Sequence, residues 1–221
     1  MKNKKYEAVI FDLDGTLLNT LEDLLDSVNY AMSVLEMPVR SYEEVRHFVG
    51  NGIRRLLELS VPEGDKNPQF EQALTLFKKY YGEHCNDKTD LYPGIIDLLK
   101  RLKEEGFQMA IVSNKYFEGV EALKEQYFKE YLDVAIGERE GIRKKPAPDT
   151  VLTALGELGI SRERAVYVGD SEVDLATAAN TGMDCITVGW GFRTRKEQEM
   201  AGAKVFADRP LDIMGFLYEE E

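Results

Sequence analysis

Short apolar runs that stop abruptly at polar loops punctuate this chain. Ala8-Val9-Ile10-Phe11 halts at Asp12-Leu13-Asp14-Gly15-Thr16, Met109-Ala110-Ile111-Val112 at Ser113-Asn114, Ala165-Val166-Tyr167-Val168 at Gly169-Asp170, and Cys185-Ile186-Thr187-Val188 at Gly189. Asp133-Val134-Ala135-Ile136 before Gly137 is a less regular fifth run. A short apolar run bounded by turn formers predicts a strand buried on both faces. Helical spacing separates these strands: Ile95 to Leu102 before Gly106, Val151 to Leu158 before Gly159, and Val173 to Asn180 before Gly182. Strand alternating with helix predicts an α/β fold, a Rossmann-like parallel sheet with helices on both faces. In such sheets ligands sit at the carboxyl ends of the strands, which is where each polar cluster falls.

Between about Leu17 and Asp90 the alternation stops, and helical stretches follow one another over Leu21 to Leu35, Tyr42 to Phe48, Gly52 to Leu59 and Pro68 to Tyr81. Ser41 with Glu44, ahead of Val45 and Phe48, has the form of a capping box and predicts a fresh helix start. The expected organisation is a catalytic core of residues 1–16 and 90–221 and an inserted all-helical domain of residues 17–89. The acidic end Glu219-Glu220-Glu221 predicts a frayed terminus.

Composition narrows the partners. The 221 residues are 43% hydrophobic and 31% charged, the balance of a folded globular protein. With 28 basic against 40 acidic residues the formal net charge is −12, so neither nucleic acid nor a membrane surface is an expected partner. The same charge repels a small anion at long range, and a phosphate site has to be built locally from cations and backbone N–H groups. Cys85 and Cys185 lack metal-ligand spacing and read as reduced thiols. The start Met-Lys-Asn-Lys-Lys leads directly into the first strand with no long apolar stretch, so a cytoplasmic location is expected, as monomer or homodimer.

Several strand ends carry chemistry. Asp12 and Asp14 leave on the same side if strand geometry persists, and two adjacent carboxylates need a cation between them or a shared proton. They read either as a nucleophile that also binds metal beside a general acid/base, or as a solvated Asp-Gly turn. Asp170 with Asp174 four residues on reads as one face of a hard-cation site or as a helix cap with a dipole-favoured acid. Ser113-Asn114 suits a phosphoryl oxygen or an ordinary cap. In Lys144-Lys145-Pro146-Ala147-Pro148-Asp149 a lysine on a proline-stiffened loop either offsets the crowded carboxylates or is a solvated basic turn.

In this order the four signals resemble those of the haloacid dehalogenase superfamily of phosphohydrolases: Asp12-Leu13-Asp14-Gly15-Thr16, Ser113, Lys145, and Gly169-Asp170-Ser171-Glu172-Val173-Asp174. The resemblance implies that Asp12 attacks phosphorus to form an aspartyl phosphate, and that Asp14 protonates the leaving oxygen and then activates water. Ser113 and the Asn114 N–H hold the phosphoryl oxygens and Lys145 ties Asp12 to the phosphate. Asp170 binds Mg²⁺ with Asp12 and the Asp14 carbonyl, and Asp174 reaches the metal through water or through its ligands. It further implies that the helical insertion is a cap that covers the site and reads the leaving group. Gly50-Asn51-Gly52 with Arg54 and Arg55 is then its substrate-facing part, unless the arginines are surface charges.

Asp14 argues against a dehalogenase, and Gly169 stands where a β-phosphoglucomutase-like mutase usually carries an acid. Val49-Gly50-Asn51-Gly52, Ser113-Asn114-Lys115 and Trp190-Gly191-Phe192-Arg193 most resemble the phosphoglycolate phosphatase branch, which adds Lys115 and Arg193 as substrate candidates. The Trp-Gly-Phe-Arg segment is expected either to edge the site or to anchor the helix after it. The reading is a Mg²⁺-dependent hydrolase of a small phosphorylated metabolite. A phosphosugar mutase, or a pyrophosphatase or nucleotide phosphatase of the same family, is the alternative.

Overall fold

The computed structural model describes residues 3–132 and 134–219. Asp133, at the head of the fifth expected strand, and Glu220 and Glu221 of the acidic terminus lie outside them. The chain forms two compact units, one from the chain up to Leu17 and from Leu91 onward, the other from Leu18–Asp90.

The first unit is built on β1 (Ala8–Phe11), with β2 (Leu18–Asn19) and β3 (Asp90–Leu91) at the two junctions of the insertion. Its later strands are β4 (Gln108–Tyr116), β5 (Val134–Glu138), β6 (Ala165–Gly169), β7 (Asp184–Val188) and β8 (Phe206–Ala207). Six of these make one parallel sheet in the order β5-β4-β1-β6-β7-β8. The chain builds outward from β1 through β4 and β5, then crosses back to lay β6 on the other side of β1. The order therefore reverses at β1, and the crevice at such a switch point is where an open α/β sheet binds ligands. Phe206–Ala207, a pair without any apolar run, completes the edge by pairing with Thr187 and Val188.

Register explains the core. Ile10 is paired with Ala110 and with Tyr167, and Ala110 with Val134, so alternate residues of four strands share one face. Ala8, Ile10, Ala110, Val112, Val134, Ile136, Ala165 and Tyr167 pack there with Val151, Ala154, Leu155 and Ala178. Those four come from α7 (Asp149–Leu158) and α8 (Glu172–Thr181). The other helices of this unit are α5 (Ile95–Glu104), α6 (Phe117–Leu123) and α9 (Arg195–Met200). The α6 helix continues as a π-helical turn over Lys124–Phe128.

The second unit contains α1 (Leu21–Val34), α2 (Tyr42–Phe48), α3 (Ile53–Ser60) and α4 (Phe70–His84). The capping box forms as expected, with Ser41 and Glu44 satisfying each other's backbone N–H groups at the start of α2. Leu24, Val28, Val45, Leu57, Phe70, Phe77 and Tyr81 are buried within it. Asp23, also buried, accepts the N–H groups of Lys88 and Thr89 and the Thr89 hydroxyl, which ties the end of the unit to its first helix. Among the described residues no helix is long and apolar enough to cross a membrane.

Candidate active site

The loops after β1, β5 and β6 and the distal part of β4 bring Asp12, Lys145, Asp170, Asp174 and Asn114 together. The strand geometry assumed for Asp12 and Asp14 does not persist. β1 ends at Phe11, Asp12 still donates its N–H to Val168, and the chain then turns, with Thr16 and Leu17 both donating to the Leu13 carbonyl. The two carboxylates consequently share no cation. Asp12 Oδ1 lies 2.7 Å from Lys145 Nζ, whereas Asp14 Oδ1 lies 3.2 Å from Lys115 Nζ. Each of the two therefore pairs with a different buried lysine, and Asp12 shares its lysine with Asp174.

Gly15 makes the turn possible twice over. Its φ is +87°, and a Cβ there would come within 2.8 Å of the Asp170 carboxylate. On the far side Gly191 does the same: a Cβ would lie 2.3 Å from Asp170 Cβ and 2.4 Å from the Gly15 carbonyl oxygen. Three loops thus close on Asp170 with no room for a side chain. Phe192 donates its N–H to Asp170 Oδ2 at 2.6 Å, Gln198 Nε2 donates to the Asp170 carbonyl, and Trp190 Nε1 donates to the Thr16 carbonyl at 3.0 Å. The Trp-Gly-Phe-Arg segment therefore buttresses the Asp170 carboxylate and the turn after β1, a structural role that neither sequence expectation named. Gly191→Ala is expected to cost about 1–3 kcal/mol of stability by overpacking and to weaken divalent-cation binding in parallel, measured by denaturant unfolding and by metal titration. An unchanged metal affinity would show that the carboxylate does not depend on this buttress.

Asp174 sits deeper and is fully engaged. Oδ1 accepts from Lys145 Nζ at 2.9 Å and from the Tyr167 hydroxyl at 3.0 Å, and Oδ2 accepts from the Ser171 N–H and hydroxyl at 3.0 and 2.6 Å. Ser171 and Asp174 form the capping box of α8, so this acid is a helix cap as well as a member of the carboxylate cluster. Asn114 uses its side-chain amide on the Lys145 backbone, accepting from its N–H at 2.8 Å and donating to its carbonyl at 3.0 Å. This fixes the loop that carries the lysine, while the Ser113 hydroxyl oxygen accepts from the Lys115 N–H at 3.1 Å. The β4–β5 register shifts between Val112 and Tyr116, a span that brackets Ser113, Asn114 and Lys115. Irregularities of this sort re-aim side chains beside functional sites.

Asp12, Asp170 and Asp174 each offer a carboxylate oxygen within 4.8 Å of the others, all buried. Burial, and after it the Asp174 charge, pushes Asp12 well above the usual carboxylate range, which Lys145 only partly offsets. Burial and then Asp174 push Asp170 up to about 7. Asp174 goes the other way: burial pushes it up, but the Lys145 charge and the Ser171 bonds outweigh burial and hold it down. With all three ionised, one ammonium leaves two negative charges uncompensated, which is the charge a bound cation would offset, and the donors are hard oxygens. That set fits a divalent cation such as Mg²⁺.

Arg193 forms a two-pronged pair with Glu172, at 2.8 and 3.1 Å. The remaining candidates belong to the helical unit. Gly50, Asn51 and Gly52 form the turn into α3, where Gly52 is the cap. Arg54 contacts Glu71 at 2.7 Å and lies over the Phe70 ring, and Arg55 contacts Glu58 at 3.0 Å. Tyr167 and Gln198 are the residues around the cluster that sequence reasoning missed; Phe192 belongs to the segment expected at the edge of the site, but its backbone contact to Asp170 was not foreseen.

The site is thus a buried carboxylate paired with a buried lysine at the switch point of a parallel sheet, with two further acids beside it. The chain belongs to the haloacid dehalogenase-like hydrolase family, whose sequence profile matches residues 9–188. It is 34% identical over 190 residues to the phosphoglycolate phosphatase of Pseudomonas putida, covering 83% of this chain and 70% of that one. It is 32% identical over 234 residues to the phosphoglycolate phosphatase of Escherichia coli K12, covering 96% and 93%. A crystal structure from Lactobacillus delbrueckii subsp. bulgaricus, provisionally assigned as a phosphoglycolate phosphatase, superposes with a TM-score of 0.93 at 37% identity over 100% of both chains.

Proposed function

We propose that this protein is a Mg²⁺-dependent phosphatase that hydrolyses a small phosphate monoester through an aspartyl phosphate on Asp12, with phosphoglycolate or a close analogue as substrate. The observation that carries the reading is the division of labour between the two acids. Asp12 lies against Lys145 within the carboxylate cluster, and Asp14 lies outside it on Lys115.

Asp12 Oδ attacks phosphorus, and the bond from phosphorus to the leaving oxygen breaks as Asp14 gives that oxygen its proton. Asp14 then takes a proton from the water that cleaves the aspartyl phosphate, releasing inorganic phosphate and restoring Asp12. The Lys115 contact orients Asp14 for both transfers. The Ser113 hydroxyl and Asn114 N–H bind phosphoryl oxygens, and Lys145 neutralises charge beside Asp12. Asp12, Asp170 and the Asp14 carbonyl would hold the cation, which supplies charge neutralisation between two anions when bound. Asp174, with both oxygens engaged by protein donors, serves the cation by holding Lys145. Recognition of the leaving group is assigned to the turn of Gly50, Asn51 and Gly52 with Arg54 and Arg55, whose half-exposed surface ion pairs are cheap to exchange.

The test is a screen of phosphorylated metabolites with Mg²⁺, ranked by kcat/KM, in which phosphoglycolate ranks at or near the top. EDTA abolishes turnover and Mg²⁺ restores it; full turnover in metal-free buffer would remove the cation from the reading. Stability gives a second readout. The Asp170 pKa is raised above the ordinary 3.8 to about 7, so in metal-free protein its contribution to stability is present below 3.8 and lost as pH rises through about 7. Mg²⁺ binds the ionised form, and its addition is expected to raise Tm more at pH 8 than at pH 6. An equal or smaller shift at pH 8 would contradict this assignment of Asp170.

A further inference from the structure

Lys145 is 2% exposed, and its ammonium carries three protons. All three have partners: Asp12 Oδ1 at 2.7 Å, Asp174 Oδ1 at 2.9 Å and the Tyr167 hydroxyl at 3.1 Å. In this arrangement no proton is left over for a phosphoryl oxygen, so contact with phosphate requires one of the three bonds to be exchanged. Two of them run to carboxylates and are charge-assisted, whereas the third and longest ends on a neutral phenol and is the weakest. The phenol is a neutral partner by construction: burial, then the charges of Asp174 and Asp12, push Tyr167 well above its ordinary range. If Lys145 lets go of Tyr167, the hydroxyl keeps its bond to Asp174 at 3.0 Å and no buried polar group is stranded.

We propose that Tyr167 is a positioning residue for phosphoryl transfer, whose hydroxyl holds the third Lys145 proton in the resting site and yields it to a phosphoryl oxygen of the bound substrate. The residue is completely buried in a core strand beneath the site, and its ring packs with Ile10, Val151 and Ala178 in one cluster. Packing fixes the ring, and the ring fixes the hydroxyl. The ammonium therefore rests at one point between Asp12 and Asp174 until substrate arrives. This inference rests on the assignment of Asp12 and Lys145 to phosphoryl transfer.

Tyr167→Phe removes the hydroxyl and keeps the ring. The ammonium then loses its third restraint and gains a proton with no resting partner. A looser lysine lowers kcat, and an unpartnered proton favours bound phosphate. The expected result is a fall in kcat of roughly tenfold, with KM and the Ki for inorganic phosphate unchanged or lower. A purely structural hydroxyl would instead lower Tm and leave kcat intact below the transition. A kcat within twofold of the parent, or a loss carried by a raised KM and weaker phosphate inhibition, overturns the proposal. Asp12→Asn assayed alongside separates the two levels: its turnover would sink the site reading itself, whereas an inactive Asp12→Asn beside a parental Tyr167→Phe sinks only the role of Tyr167. Should the Phe variant be too unstable to assay, 3-fluorotyrosine placed at position 167 retains ring and hydroxyl, and makes that hydroxyl a weaker acceptor toward Lys145 and a stronger donor toward Asp174. A changed kcat at constant KM then supports the proposal, and an unchanged kcat overturns it.

Discussion

Asp12→Asn is expected to lower kcat by on the order of a thousandfold or more and to leave no covalent phosphoenzyme, because an amide oxygen is not a usable nucleophile for phosphorus. The fold should survive. Asn keeps a carbonyl oxygen that accepts from Lys145 and from the Leu13 N–H, the two contacts Asp12 Oδ1 makes. The substitution also removes one of three carboxylates from a buried cluster in which the Asp12 pKa is raised by burial and by Asp174. A group whose folded pKa is raised costs stability when ionised, so in metal-free buffer near pH 8 the Asn variant is expected to unfold at or above the parent's Tm. The measurements are single-turnover kinetics with a labelled phosphate ester and thermal unfolding in EDTA. A labelled phosphoenzyme in the Asn variant would move the nucleophile elsewhere. A Tm well below the parent's would show that the charge of Asp12 is needed to hold Lys145.

Much of the core was legible because each strand that positions the site is an apolar run cut off by a polar cluster. Phe11 before Asp12 and Val168 before Gly169-Asp170 are such boundaries, whereas β4 runs on past Val112 through Ser113 and Asn114 to Tyr116, and β4, β1 and β6 lie side by side as parallel βαβ units require. Phe206–Ala207 was not legible, since two residues carry no period and the strand exists only because β7 offers it a partner. The relation of Asp12 to Asp14 is not legible for a related reason. Strand alternation ends at Phe11, and the conformation of the next segment is set by Gly15 and by the space around Asp170, both properties of the assembled loops. Tyr167 was hidden in plain view. In a run of Ala-Val-Tyr-Val it reads as one more large core residue, and its ring is one. Only the register that puts it on the same face as Ile10, with α8 packed above, reveals that its hydroxyl meets Lys145 and Asp174. Phe192 and Gln198 act through a backbone N–H and through a side chain bonded to backbone carbonyls, contacts to which sequence pattern is blind.

Lys145→Met should produce the largest loss of stability of any single substitution at the site, and the loss should grow with pH. Removing one partner of a buried charge pair leaves the other uncompensated and typically costs about 3–5 kcal/mol. Here two buried carboxylates, Asp12 and Asp174, would lose their cation together. For a chain of this size each kcal/mol corresponds to about 2–4 °C, so a fall in Tm of roughly 6–20 °C is expected in metal-free buffer. The pH dependence follows from the direction of each shift. In the parent, Asp174 is held below its ordinary range, where burial alone would raise it and the Lys145 charge is the largest opposing influence. A depressed carboxylate contributes stability that is present above its unfolded pKa and lost as pH falls through the folded one. Without the lysine, burial dominates Asp174 as it already does Asp12. Both then contribute in the opposite sense, with stability lost as pH rises through the raised values. The gap in Tm between parent and Met variant should accordingly widen from pH 5 to pH 8, measured by calorimetry in EDTA. A gap that stays constant or narrows would mean that Asp12 and Asp174 are already protonated in the parent, and that Lys145 is held by neutral hydrogen bonds instead of an ion pair.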